Sequence, residues 1–185
     1  MKKILILLMA LSIFSCKKND LKSEFNCENS TTYSDTKEIR DILKKFRITL
    51  PTNWKTQLYY DDYQSEIYSA DTTKGLSETF IVDVSWHQGE LFLDEVFEQK
   101  VRDTLAIKEK LSTVKTKYGE FKKYPSYYNL SKGINAGYPY HYLQVYIKTE
   151  IDEYFTFTTK VYGSNNIEER LCESIALFDQ IEIIN

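Results

Sequence analysis

TFIVDVSWHQGELFLDEVFEQKVRDTLAIKEKL, residues 79–111, changes its hydrophobic period part-way through. Phe80, Val82, Val84 and Trp86 alternate with Thr79, Ile81, Asp83, Ser85 and His87, the two-residue repeat of a half-buried strand, and Gln88-Gly89 closes it. From Asp94 the repeat becomes helical. Leu93, Val96, Phe97, Val101 and Leu105 recur at three and four with Glu and Lys between them, which predicts a helix from about Asp94 to Leu111 that packs on a sheet.

Working outward, Asp35 stands three residues before Glu38, and Ile39, Ile42, Leu43 and Phe46 follow at helical spacing, so a short amphipathic helix is expected there. Phe46, Ile48 and Leu50 then alternate as a strand and stop at Pro51-Thr52-Asn53-Trp54. Residues 57–60 and 65–70 read as a hairpin about Asp61-Asp62-Tyr63. Downstream, residues 114–118 and 120–124 read as a hairpin turning near Gly119. A strand over 126–130, a turn near Gly133 and a strand over 138–151 follow. In the last of these Leu143, Val145 and Ile147 oppose Tyr140, Tyr142, Gln144 and Tyr146; residues 154–162 repeat the alternation. Asn166 with Glu169 predicts a second capping box ahead of Ile167, Leu171, Ile175 and Phe178 on a helix, and Ile181, Ile183 and Ile184 form a terminal strand. The order predicts one α+β domain over residues 35–185, a largely antiparallel β-sheet flanked by helices.

Composition agrees with a packed domain. Of 185 residues 42% are hydrophobic and 15% aromatic, which argues against disorder, and six Gly and three Pro leave no long linker. The net charge of −3, with both signs interspersed, lacks the basic stripe that nucleic acid requires.

Met1-Lys2-Lys3 followed by an apolar run to Phe14 reads as a secretory signal peptide over residues 1–15, too short for a membrane span. Ile13-Phe14-Ser15-Cys16 resembles a bacterial lipobox, although Phe14 departs from the commonest pattern. The resemblance implies a lipid (diacylglycerol, palmitate) on Cys16 and a membrane-anchored chain in which residues 16–34 are a polar tether. Lys17-Lys18-Asn19-Asp20 lacks the adjacent acidic pair that marks surface export in lipoproteins of the Bacteroidetes type, so the expected address is the outer membrane facing the periplasm, with surface exposure as the alternative. Cys27 and Cys172 remain in an oxidising compartment and are expected to pair; the alternative is a buried free Cys172 and an exposed Cys27.

Phe46-Arg47-Ile48-Thr49-Leu50-Pro51-Thr52-Asn53-Trp54, the hairpin after it, the helix after a strand over 93–111, and the late helix feeding an Ile-rich strand resemble the Mog1/PsbP fold over about residues 42–184. That resemblance implies an α/β/α sandwich of a kind used by binding or assembly factors, in photosystem II or with a small GTPase, with no shared catalytic residues. It thus implies a non-enzymatic chain without a cofactor and names no partner; with the expected lipid anchor, the expected partner is an envelope protein of unknown identity.

The chemistry-bearing residues are sparse. His87 and His141 would have to converge with a carboxylate such as Asp83 to hold zinc; neither stands at a ligand spacing, so no metal is expected. Ser85 and His87 share a strand face without a nucleophile elbow or oxyanion loop. Asp61, Asp62 and Glu66 lack a calcium-loop pattern, and Asp71-Thr72-Thr73 matches a short O-glycan acceptor pattern of exported Bacteroidetes proteins. Tyr127, Tyr128, Tyr138, Tyr140 and Tyr142 form the strongest anomaly. They are either cross-strand packing or a binding surface for a protein or, in the alternative function, a carbohydrate or small ligand.

Overall fold

The computed structural model describes residues 21–27 and 33–184. In chain order the elements are α1 (Leu21–Glu24), β1 (Thr36–Arg40), β2 (Phe46–Pro51), β3 (Lys55–Tyr60), β4 (Gln64–Ala70), β5 (Phe80–Gln88), α2 (Glu95–Lys108), β6 (Ser112–Phe121), β7 (Tyr124–Asn135), β8 (Tyr138–Lys148), β9 (Glu153–Tyr162), α3 (Ile167–Phe178) and β10 (Ile181–Ile183). The strands make a seven-stranded antiparallel sheet in the order β3-β4-β5-β9-β8-β7-β6 and a three-stranded one in the order β1-β2-β10.

Strand periodicity sends alternate residues of the large sheet to two cores. On the inner face the register aligns Ile67, Val84, Phe157, Val145 and Tyr128 across five strands. This row packs with Phe46, Ile48 and Leu50 of β2, Ile175 and Phe178 of α3 and Ile181 of β10, all fully buried. Phe157 stacks on Phe178 at 5.3 Å and Phe46 meets Phe155 edge-on at 5.6 Å. On the outer face α2 lies over β6–β8. Its Phe97 sits 5.6 Å from Tyr127 and 4.9 Å from Tyr146, while Val101 and Leu105 close over Tyr140 and Leu111. Asp94 caps α2 by accepting the Phe97 N–H at 2.8 Å. The helix ends at Lys108, short of Leu111, because Lys110 takes a left-handed φ of 55° and the Leu111 N–H turns back to the Leu105 carbonyl.

Four sequence expectations fail locally, each for a physical reason. The helix expected after Asp35 is β1 and a turn. Lys44 is left-handed, and the buried Asp41 carboxylate accepts the Phe46 N–H at 2.7 Å, folding the chain back so that β1 pairs with β2. No turn falls at Gly119 or Gly133. β6 and β7 run through these positions and are joined at Lys122-Lys123, and β7 meets β8 at Ala136-Gly137, each a two-residue turn with both φ positive. Gly133 serves space instead of turning: a Cβ there would lie 2.7 Å from Leu111 Cδ2 and 2.9 Å from the Lys110 carbonyl oxygen. Asn166 precedes α3 in a left-handed conformation and its side chain caps nothing, so the expected capping box does not form.

Finally, part of the stretch read as a tether is docked. Leu21 and Cys27 are buried, Lys22 meets Asp179 at 2.5 Å, and Cys27 is disulfide-bonded to Cys172 on α3. The expected signal peptide and Cys16 lie outside the described residues.

Candidate functional site

The five tyrosines singled out by their density do not share a surface. Tyr127 and Tyr128 are neighbours on β7 and so point to opposite faces: Tyr127 is fully buried under α2, and Tyr128 is buried in the inner core 5.5 Å from Phe25. Tyr140 is buried beside Tyr162 at 4.7 Å and Tyr142 is half-buried; Tyr138 alone of the five is exposed, at the β7–β8 turn. Burial pushes the hydroxyls of Tyr128 and Tyr140 well above the usual phenol range and that of Tyr142 up to about 12. Tyr127, Tyr128 and Tyr140 thus serve packing, because strands that contribute to two cores need large residues on both faces.

The other chemical candidates are likewise dispersed. The Ser85 hydroxyl donates to Asp83 at 3.0 Å and not to His87, whose Nε2 pairs with the Thr156 hydroxyl at 3.0 Å while its ring stacks on Tyr154 at 4.7 Å. Burial lowers His87 to about 4, against a small opposing pull from Asp61. His141 lies in the row of Val161 and Phe80, at the far end of β5 from His87. Among the described residues no group of three or more His, Cys, Asp or Glu side chains is placed to hold a metal ion. Asp61 accepts the Tyr63 N–H at 2.7 Å and Asp71 accepts from Thr73 at 3.0 and 2.6 Å, so both carboxylates shape turns; Thr72 is exposed on the second.

Between α2 and the β3–β4 hairpin, the outer face of the large sheet is polar. Tyr68, Asp83, Thr158 and Gln144 form one row across it, and Lys160 Nζ stands 5.2 Å over the Tyr68 ring. Burial raises the Asp83 carboxyl, with Lys160 opposing, and burial with the Asp83 charge raises Glu66. At the end of this sheet a cavity of about 400 Å³ is lined by Tyr33, Trp54, Asp71, Arg170 and Glu173. Two of its polar side chains help hold the chain: Arg170 donates to the carbonyls of Thr79 and Tyr162 at 2.8 and 2.7 Å, and the Tyr33 hydroxyl donates to Glu173 at 3.0 Å.

One feature that is presented outward is strand β3. Leu58, Tyr59, Tyr60 and, just past the strand, Tyr63 are 40, 50, 62 and 67% exposed. Among the described residues β3 is an outermost strand, paired only with β4. The Asp61 N–H bonds the Gln64 carbonyl at 2.9 Å, which sets the phase of the ladder: Tyr59, Gln57 and Lys55 bond to β4, and Thr56, Leu58 and Tyr60 turn their N–H and C=O groups to the open side. Backbone donors and acceptors in a row, flanked by aromatic side chains, can add a further strand. Sequence reading located this hairpin but did not single out its open edge. The legible signal was the Leu58-Tyr59-Tyr60 run, in which no alternation marks one face as buried.

By sequence the chain matches no family model and no curated protein. By structure it is similar to cyanobacterial PsbP (CyanoP) from Synechocystis sp. PCC 6803, with a TM-score of 0.59 at 8% identity over 83% of this chain and 95% of that one. The fold is PsbP-like. A Pseudomonas aeruginosa protein of unknown function superimposes with a TM-score of 0.50 at 12% identity, covering 82% of this chain and 99% of its own. LpqN, involved in cell envelope biogenesis of Mycobacterium tuberculosis, gives 0.43 at 10% identity, covering 91 and 99%. At these identities the likeness concerns the PsbP-like fold alone. No helix of the described residues is long and apolar enough to cross a membrane.

Proposed function

We propose that this chain is a lipid-anchored bacterial cell-envelope protein, held through Cys16, whose PsbP-like domain is a non-catalytic docking module for protein. The observation that carries the docking reading is the open β3 edge, with Thr56, Leu58 and Tyr60 directing backbone groups outward between exposed Tyr59 and Tyr63. An unpaired, aromatic-rich edge is a template for strand addition, in which backbone bonds give affinity and flanking pockets give selectivity. The anchor is supported by the cationic start, the apolar run and the Cys16 motif, and an oxidising address suits the Cys27–Cys172 bond. The outer-membrane, periplasm-facing placement rests on the residues after Cys16.

Photo-crosslinking in intact membranes tests it. A crosslinking amino acid at Tyr60 should capture a discrete protein adduct, whereas the same group at Val114 on β6 should not. Equal labelling from both edges, or from Val114 alone, would remove β3 as the docking edge.

A second reading, saccharide binding, is favoured by the polar row in which half-buried Asp83 and Gln144 flank buried Thr158 beside Tyr68 and Tyr142, since sugars stack on aromatic rings and bond to such groups. Binding to a glycan array that is lost in Asp83→Asn and retained in Tyr60→Ala would favour it over protein docking.

A further inference from the structure

We infer that the strand added to β3 is β3 of a second copy of this chain, paired antiparallel about Leu58. This rests on the reading of β3 as a docking edge and names its occupant.

The ladder geometry restricts the possibilities. An antiparallel partner must place its own outward-bonding residues opposite Thr56, Leu58 and Tyr60, so a second β3 can slide only in two-residue steps. One of these steps matches charge and length together. With Leu58 facing Leu58, Thr56 faces Tyr60 and Lys55 faces Asp61, and by the two-fold symmetry each pairing occurs twice. The pairs Thr56–Tyr60, Leu58–Leu58 and Tyr60–Thr56 then exchange both of their N–H···O=C bonds. Lys55, Gln57 and Tyr59 share the outer face and Asp61 continues their alternation one residue past the strand, so each Lys55 ammonium meets the partner's Asp61 carboxylate on the same side of the joined sheet, the carboxylate keeping one oxygen on its own Tyr63 N–H.

The neighbouring steps lose this match. One places Lys55 opposite Tyr59, and the other places it opposite Tyr63 and leaves Asp61 facing Gln57. Among the described residues neither Lys55 nor Asp61 takes part in an ion pair, and both are exposed. Leu58 and Tyr60, exposed in one copy, would cover each other's flank in two, and the joined sheet would have β6 at both ends.

Sedimentation velocity of the full chain carrying Cys16→Ser, over a concentration series, should show a monomer converting to a dimer. Lys55→Asp and Asp61→Lys, each placing like charges opposite one another at both ends of the pairing, should each weaken the dimer at least tenfold. Lys55→Asp/Asp61→Lys together should bring it back to within about threefold of the parent. A monomer at every concentration, or a double variant no better than the singles, would overturn the inference. The docking reading is scored apart from it: a Tyr60 crosslinker that captures a different envelope protein while the chain stays monomeric overturns the dimer and keeps the edge. No adduct and no dimer overturns both. Unchanged thermal transitions of the single variants exclude unfolding as the cause of any loss.

Discussion

Strand β6, at one end of the large sheet, is gripped from both faces, and strand β3, at the other, pairs among the described residues with β4 alone. On the inner side of β6, Lys115 and Lys117 pair with Glu24 of α1 at 2.6 and 2.5 Å, and α1 is in turn tied through Cys27 to α3. On its outer side the Thr116 hydroxyl donates to Glu98 at 3.1 Å and the Tyr118 hydroxyl to the Asp94 carbonyl at 2.6 Å, fastening the strand to α2. β6 also carries a register irregularity between Thr113 and Lys115; bulges and lysines are the devices by which edges are kept from pairing. β3 has an unbroken register and a single lysine at its start. One edge of the same sheet is thus closed by local chemistry that the other lacks, and the unguarded edge is where the fold can accept a partner.

The comparison can be broken most severely at the disulfide. Cys27→Ala/Cys172→Ala should lower stability in urea by about 4–5 kcal/mol in the chain-entropy view of so long a loop. It should also free α1, and amide exchange along β6 should then approach that of β3; an unchanged β6 would show that α2 alone guards this edge. Next, Tyr127→Ala, under α2 on the closed side, should cost about 3–5 kcal/mol, as truncation of a large buried aromatic does. A loss below about 1 kcal/mol would return this tyrosine to the list of binding candidates.

A smaller change is expected from Lys115→Ala/Lys117→Ala, about 1 kcal/mol or less for half-exposed ion pairs. Its pH dependence is the sharper readout. Hydrogen bonds from Lys115 and then Lys117 hold the Glu24 carboxyl at about 2 instead of 4.5. A carboxylate lowered in this way stabilises the folded state fully above about pH 4.5, and the contribution is lost as pH falls toward 2. The parent should therefore lose stability through that window more steeply than the double variant, by chemical denaturation at stepped pH. The smallest effect is expected on the open edge itself: Tyr60→Ala should leave stability within about 0.5 kcal/mol while weakening whatever β3 captures. A Tyr60→Ala domain that melts early would mean that the edge is already covered within the chain.

The architecture was legible where one period persists: β5, β8, β9, α2 and α3 carry their alternation or their helical stripe in plain view, because each sets a distinct apolar face against a core. Legibility failed where local chemistry overrides the pattern. The apolar spacing of Ile39, Ile42 and Leu43 is helical, yet the Asp41 carboxylate and left-handed Lys44 make a hairpin of it. Lys122-Lys123 turns the chain although glycine was available nearby at 119, and Gly133 fills a gap instead of bending a strand. The candidate site was harder still to read. Tyrosine density marked residues that, Tyr138 apart, pack under α2 or in the inner core, whereas Tyr59, Tyr60 and Tyr63 are more exposed than any of them, and nothing but the absence of a covering element distinguishes those three.

The Cys27–Cys172 bond has a mechanical consequence. Residues between the two cysteines lie inside a covalently closed loop, and a pull on the chain ahead of Cys27 is delivered to helix α3, at the centre of the inner core, as well as to the backbone that leads to β1. β1 is the outermost strand of the small sheet and would otherwise be the first to unzip under such a load. With the bond closed, tension from the N-terminal side must displace a core helix before it can peel an edge strand, so reduction should turn a domain that resists as one body into one that unravels from its end.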